Sequence, residues 1–223
     1  MAESPPFESF SDLASDPPVR GFLHRPVSPS GDGLALTHGA GGNCQAQLLV
    51  ALAEAFSGKG FVVLRYNLPF RLAKSFGPPR PGTAARDRDG IKNAVSAVRQ
   101  LVSGRVFAGG HSYGGRQTTM RSAEEPGLMQ GLLLSSYPLH PPGKPDRLRV
   151  EHFPQLQTPA LFVNGTRDPF GTIDEMKAAL RLIPAKTILL PVEDAGHDLG
   201  FKGTSGPTDL AARVLAEFQK LFA

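Results

Sequence analysis

The strongest constraint on this chain is an alternation. Five short apolar runs, at residues 61–64, 106–108, 132–134, 160–163 and 188–190, are each bounded by Gly, Pro or polar residues. This is the pattern of strands that are apolar on both faces. Between them lie segments with helical spacing. Ile91, Ala94, Val95, Val98, Leu101 and Val102 recur every three or four residues. Leu210, Val214, Leu215, Phe218, Leu221 and Phe222 repeat such a stripe after Pro207, a residue suited to the first turn of a helix. Thr172 and Glu175 have the spacing of a capping box ahead of Ile173, Met176, Leu180 and Ile183, and Pro184 ends that helix. Weaker strands are expected near 19–27 and 34–37, the latter leading into a helix over 48–56, and residues 1–18 are expected to form an irregular arm. The alternation predicts a single α/β domain over residues 1–223, with a mostly parallel central sheet and helices on both faces. Such sheets bind ligands at the carboxyl ends of their strands.

Composition narrows the function classes. Of the 223 residues 40% are hydrophobic and 20% charged, which fits a packed core and excludes a disordered tail. The formal charge of +4 is too small to argue for nucleic acid, but it is unevenly placed. Residues 65–92 hold Arg65, Arg71, Lys74, Arg80, Arg86, Arg88 and Lys92 against only Asp87 and Asp89. That segment is either a solvated loop and helix start or an attractor for an anionic substrate or partner, with Arg65 or Arg71 as the nearest contact. Aromatic residues are too sparse there for a single-strand nucleic-acid platform, so no nucleic-acid partner is expected. The lone Cys44 can form neither an intrachain disulfide nor a Cys-rich zinc site, and the expected compartment is the cytoplasm. The opening twenty residues lack the basic start and apolar run of a secretory signal, and no stretch is long enough to suggest a membrane span. His24, His38, His111, His140 and His152 form no spaced ligand pairs, so neither a metal nor a cofactor is expected.

The chemistry starts at Gly110-His111-Ser112-Tyr113-Gly114, a G-x-S-x-G sequence between the 106–108 strand and a helix. A serine there sits on a sharp strand-to-helix turn, where side chains two residues to either side would collide with neighbouring structure. The plain alternative is a glycine-rich turn whose serine caps a helix. A serine hydroxyl needs a base, and the base needs an orienting acid. Asp168 follows the 160–163 strand and His197 follows the 188–190 strand, so Ser112, Asp168 and His197 lie beyond three different strands, each at its carboxyl end. Asp194 and Asp198 are nearer to His197 in sequence, but nearness along a loop does not set the orientation of an imidazole. The amides of Ala40, in the glycine-rich turn 38–42, and of Tyr113 are the candidate donors to an oxyanion. That turn lacks the Gly-Lys-Ser/Thr ending of a phosphate loop and the dinucleotide fingerprint, which sets nucleotide binding aside.

On these residues the chain resembles the α/β-hydrolase superfamily over essentially its whole length, from His38 and Gly39 through Ser112 and Asp168 to His197. It looks most like the small, lidless, dienelactone-hydrolase-like branch. The runs 38–42, 65–70, 110–116 and 164–170 are similar to the group that includes testis-expressed protein 30. Dienelactone hydrolases place cysteine where Ser112 stands, and haloalkane dehalogenases and epoxide hydrolases place aspartate there, so the resemblance implies none of those reactions. Larger esterases carry a helical cap where this chain has only residues 135–159, room for a loop and one short helix. The resemblance therefore implies no large cap and an open site for small or accessible acyl groups. Leu68, Phe70, Arg71, Tyr137, Leu139 and Leu199 are the candidate substrate contacts. The expected function is a serine hydrolase, a carboxylic-ester hydrolase acting on a small-molecule ester through an acyl-enzyme. A thioesterase or peptidase with the same triad, or a non-catalytic partner-binding protein of the same fold, stays open.

Overall fold

The computed structural model describes residues 7–201 and 209–223, so Pro207, expected to open the last helix, lies outside the described residues. The elements run β1 (Phe7–Asp12), β2 (Val19–His24), β3 (Gly33–Thr37), α1 (Gln47–Ser57), β4 (Val62–Tyr66), α2 (Pro69–Ala73), α3 (Ala84–Arg99), β5 (Val106–His111), α4 (Tyr113–Glu124), β6 (Gly131–Ser135), β7 (Ala160–Gly165), α5 (Ile173–Leu180), β8 (Thr187–Val192) and α6 (Leu210–Phe222). The strands form one eight-stranded sheet in the order β1-β2-β4-β3-β5-β6-β7-β8. From β4 to β8 all neighbours are parallel, with Ala35 opposite both Leu64 and Ala108, and Leu132 opposite both Ala108 and Ala160. β2 joins β4 antiparallel, and β1 joins β2 the same way. This is an α/β-hydrolase fold without a large cap domain.

Period two in the strands sorts the core into two layers. Ala35, Leu64 and Ala108 face α3, whose Ile91, Ala94, Val95 and Val98 are fully buried, and Leu132 and Phe162 continue the same layer, Phe162 against Tyr137 and Phe153. Leu34, Leu36, Val63, Phe107, Leu133 and Leu161 face the other way, against Leu49, Leu52 and Phe56 of α1 and Leu215 and Phe218 of α6. The Phe218 ring meets Phe107 at 5.0 Å and Phe56 at 5.1 Å, both edge-on, the arrangement that aromatic quadrupoles favour. β3, β4, β6 and β7 are buried along their whole length, which is why they read as continuous apolar runs. Thr172 caps α5 reciprocally: its hydroxyl accepts from the Glu175 amide at 3.3 Å, and the Glu175 carboxylate accepts from the Thr172 amide at 2.8 Å.

Two expectations need correction or completion. The arm expected over residues 1–18 is regular over Phe7–Asp12, which pairs residue by residue with β2, from Phe7 opposite His24 to Asp12 opposite Val19. An edge strand buries little, and Phe7, Glu8 and Ser9 are exposed, so backbone pairing forms β1 without leaving an apolar pattern. Residues 135–159 hold only a 3₁₀ turn at Phe153–Gln155. Tyr137, Leu139, Phe153 and Leu156 fold down into the α3-side core, so this connection packs beside the sheet rather than over its rim.

Candidate active site

Ser112 is the hinge between β5 and α4. Its φ of +50° and ψ of −117° lie outside the ordinary regions for a residue with a side chain, strain that surrounding structure must hold in place. The Ser112 amide donates to the Ser135 carbonyl at 2.8 Å, and its carbonyl accepts from Arg116 at 3.0 Å. The turn also presses against the 38–42 loop. A Cβ at Gly114 would stand 2.4 Å from the His38 carbonyl oxygen, and one at Gly39 would stand 2.9 Å from His111 Nδ1. Only glycine at these two points lets the turns pack back to back.

Ser112, His197 and Asp168 meet at the carboxyl ends of β5, β8 and β7. Ser112 Oγ lies 2.7 Å from His197 Nε2. His197 Nδ1 lies 2.8 and 3.0 Å from the two carboxylate oxygens of Asp168. A carboxylate only accepts, so Nδ1 carries the proton and Nε2 offers its lone pair to the serine hydroxyl. The Asp168 side chain is wholly buried and also accepts from the Phe170 amide at 2.9 Å. Phe170 then lays its ring on the His197 imidazole, centroids 4.2 Å apart and planes 32° from parallel. His111 Nε2–H donates to the His197 carbonyl at 2.9 Å, fixing the loop from the other side. Burial pushes His111 down to about 4, so it stays neutral near pH 7. Asp194 is occupied elsewhere, paired with Arg167 at 2.6 Å.

Tyr113 is the first residue of α4, where an amide has no acceptor inside the helix. Ala40 lies in the loop that borders the cleft. Both are braced from behind by the residues that follow β4. Arg71 donates through Nε to the Gly42 carbonyl at 2.8 Å and through its terminal nitrogens to the carbonyls of Ala40 at 2.8 Å, Gly77 at 2.9 Å and Lys74 at 3.2 Å. His38 donates from Nδ1 to the Gly39 carbonyl at 2.8 Å and accepts at Nε2 from the Leu68 amide at 3.1 Å. Burial lowers its pKa to about 4 and keeps this tautomer neutral. Asp87 of α3 accepts from the Phe70 amide at 3.0 Å and from the Tyr113 hydroxyl at 2.7 Å. Burial raises the Asp87 carboxyl, while those two donors work against the rise.

The expected substrate contacts are placed differently. Leu68, Phe70, Tyr137, Leu139 and Leu199 are buried, and neither they nor Arg71 lines the cleft. The four aromatic and leucine side chains at 68, 70, 137 and 139 pack into the core beneath the strand ends, and the Arg71 fork is filled by backbone carbonyls. Arg65 is equally committed. It is 1% exposed, donating to His24 Nε2 at 2.8 Å and to the Cys44 carbonyl at 2.5 Å, with its guanidinium over the rings of Phe7 and Phe22. Farther along the basic segment, Arg86 pairs with Asp16, Arg88 with Glu124 and Lys92 with Glu125. Beside Ser112 and His197 opens a cleft of about 410 Å³ whose apolar walls are Ala46, Leu48 and Leu49 at the start of α1, together with Phe170 and Phe201. The sequence held a signal for these. α1 follows the 38–42 loop directly, so its first turn has to border the site, and Phe170 and Phe201 sit within four residues of Asp168 and His197. Among the described residues no group of three or more His, Cys, Asp or Glu side chains is placed to hold a metal ion, and no helix is long and apolar enough to cross a membrane.

A family model described as an alpha/beta hydrolase domain matches residues 31–221. The chain belongs to that family. Solved relatives of this alpha/beta hydrolase share its architecture at low identity. A dienelactone hydrolase from Anabaena variabilis is 19% identical with a TM-score of 0.75, the match covering 98% of this chain and 99% of that one. An α/β serine hydrolase without lid from Xanthomonas campestris is 16% identical with a TM-score of 0.72, covering 99% and 96%. An α/β serine hydrolase homologue from Coxiella burnetii is 18% identical with a TM-score of 0.70, covering 96% and 95%. At such identities the likeness establishes the fold, and the chemistry has to be argued from the site.

Proposed function

We propose that this alpha/beta hydrolase is a serine esterase that cleaves carboxylic esters through an acyl-enzyme. The observation that carries the reading is the 2.7 Å contact between Ser112 Oγ and an imidazole nitrogen left unprotonated because the Asp168 carboxylate holds the other nitrogen's proton. His197 takes the hydroxyl proton as Ser112 Oγ attacks the acyl carbon. Asp168 keeps the ring oriented and stabilises the imidazolium. The carbonyl oxygen becomes an oxyanion held by the amides of Ala40 and Tyr113, donors already fixed in place before charge develops. Collapse of the tetrahedral intermediate breaks the bond to the leaving oxygen, to which His197 returns the proton, and water then repeats the sequence to free the acid. An ester suits this site because its alkoxide leaving group needs one proton, and His197 is the group in position to give it. The test is labelling by a fluorophosphonate, which phosphonylates an activated serine: the wild-type protein takes the label and Ser112→Ala does not. Equal labelling of both proteins rejects Ser112 as the nucleophile.

A further inference from the structure

Five of the seven basic residues in 65–92 have their charge answered inside the fold. Arg65 donates to His24 and to the Cys44 carbonyl, Arg71 donates to four backbone carbonyls, and Arg86, Arg88 and Lys92 pair with Asp16, Glu124 and Glu125. Lys74 and Arg80 are the other two, and both line one cavity of about 250 Å³ between the end of α2 and the start of α3. We propose that this cavity is a second binding site, one that takes a small carboxylate with an apolar body.

The lining divides by chemistry. Phe70, Ala73, Pro78 and Pro79 supply apolar surface, while Lys74 and Arg80 supply positive charge. Phe70 is the fixed wall: it is buried, it meets the His38 ring at 5.5 Å and the Tyr113 ring at 5.7 Å, and the Arg71 guanidinium stands 5.0 Å from its centre. Opposite it, Pro78 and Pro79 have restricted backbones and no amide hydrogens, so that wall offers shape rather than donors. The Lys74 ammonium lies 5.4 Å from the centre of the exposed Phe76 ring, a weak hold at a solvent-facing position. Among the described residues neither Lys74 nor Arg80 makes an ion pair or donates a hydrogen bond from its side chain. Asp87 is no counter-ion to them, because its two oxygens accept from the Phe70 amide and the Tyr113 hydroxyl and it is not on the lining.

A carboxylate on an apolar body answers both halves of this lining. It gives the two cations acceptors and opposite charge, and its body covers the Phe70 and proline surface. At about 250 Å³ the cavity is smaller than most small-molecule sites, which suits a single ring with a short acid arm. The cavity shares no lining residue with the cleft beside Ser112, so its occupancy does not depend on which residue is the nucleophile.

The experiment is calorimetric titration of the whole protein with phenylacetate, phenylacetamide and acetate. Phenylacetamide keeps the shape without the charge, and acetate keeps the charge without the ring. Phenylacetate is expected to bind with a Kd of about 1 mM or tighter, and each of the other two at least roughly tenfold more weakly. Lys74→Gln combined with Arg80→Gln is expected to weaken phenylacetate by roughly tenfold or more with an unchanged melting curve, since Arg80 is exposed and Lys74 half-buried. Should the paired variant melt early, Arg80→Gln alone carries the test, with an expected loss of roughly threefold. Phenylacetamide or acetate binding as tightly as phenylacetate, or no saturable binding of phenylacetate at about ten times the expected Kd, overturns the proposal. An affinity that the substitutions leave untouched places the ligand elsewhere and overturns it too.

Discussion

Behind the cleft, Arg71, His38 and Asp87 hold the 38–42 loop and the start of α4 through hydrogen bonds of 2.7 to 3.2 Å. Along its rim, Phe170, Phe201 and Ala46 border the cleft with side chains that have no polar atom to bond. The difference follows from what each region meets. In the proposed mechanism charge develops at the amides of Ala40 and Tyr113, and donors in that role act only if they are aimed before the reaction begins. The rim offers apolar surface, for which shape without fixed direction suffices. Damage to the back should therefore appear in turnover, and damage to the rim in binding and selectivity.

Ser112→Ala gives the largest expected effect, a fall in ester kcat/KM of about three orders of magnitude or more with an unchanged melting curve. Steady-state kinetics alongside circular dichroism measure it. Next comes Arg71→Lys, which keeps the charge but loses the planar fork that spans Ala40, Gly42 and Gly77. Its kcat should fall by roughly tenfold to a hundredfold at nearly constant KM, because the loop that carries Ala40, the proposed oxyanion donor, loosens. A raised KM with intact kcat would instead return Arg71 to the role of a substrate contact. Phe170→Ala is expected to act mostly on the rim. It removes apolar surface and the ring stacked on His197, so KM for 4-nitrophenyl hexanoate should rise by roughly tenfold while kcat falls less. A loss confined to kcat would move Phe170 from the rim to the catalytic frame.

The histidines at the back add a pH dependence of stability. His38 and His111 have an ordinary pKa of 6.5 and are held near about 4 by burial. Between those values the unfolded chain binds protons that the folded chain refuses, so stability is full above about 6.5 and is lost as pH falls toward about 4. Urea midpoints measured at pH 7 and pH 5 should differ in that direction. Equal midpoints would mean that these rings are not buried neutral.

Strands β3 to β7 were legible because they are buried on both faces and bounded by turn residues, the half-buried edge strand β8 because its apolar run is bounded in the same way, and helices α1, α3, α5 and α6 because their stripes recur at helical spacing. β1 was not, since an exposed edge strand owes its existence to pairing with β2. The meeting of Ser112, Asp168 and His197 could be anticipated because each follows a strand of one parallel sheet, and parallel strands end on the same side. Side-chain direction just past a strand end carries no such rule. Leu68 and Phe70 turn down into the core and Arg71 turns back onto the loop, while a sequence shows only that all three follow β4. Leu48 and Leu49 read as helix packing, which they also perform, so their second role at the cleft was hidden.

The central claim is covalent, and the direct measurement is the mass of the protein during turnover. Acid quenching partway through hydrolysis of a slowly deacylating ester, followed by peptide mass analysis, should find the acyl mass on the peptide that contains Ser112. Acylation elsewhere, on Cys44 for instance, or steady turnover with no acylated species, would contradict it.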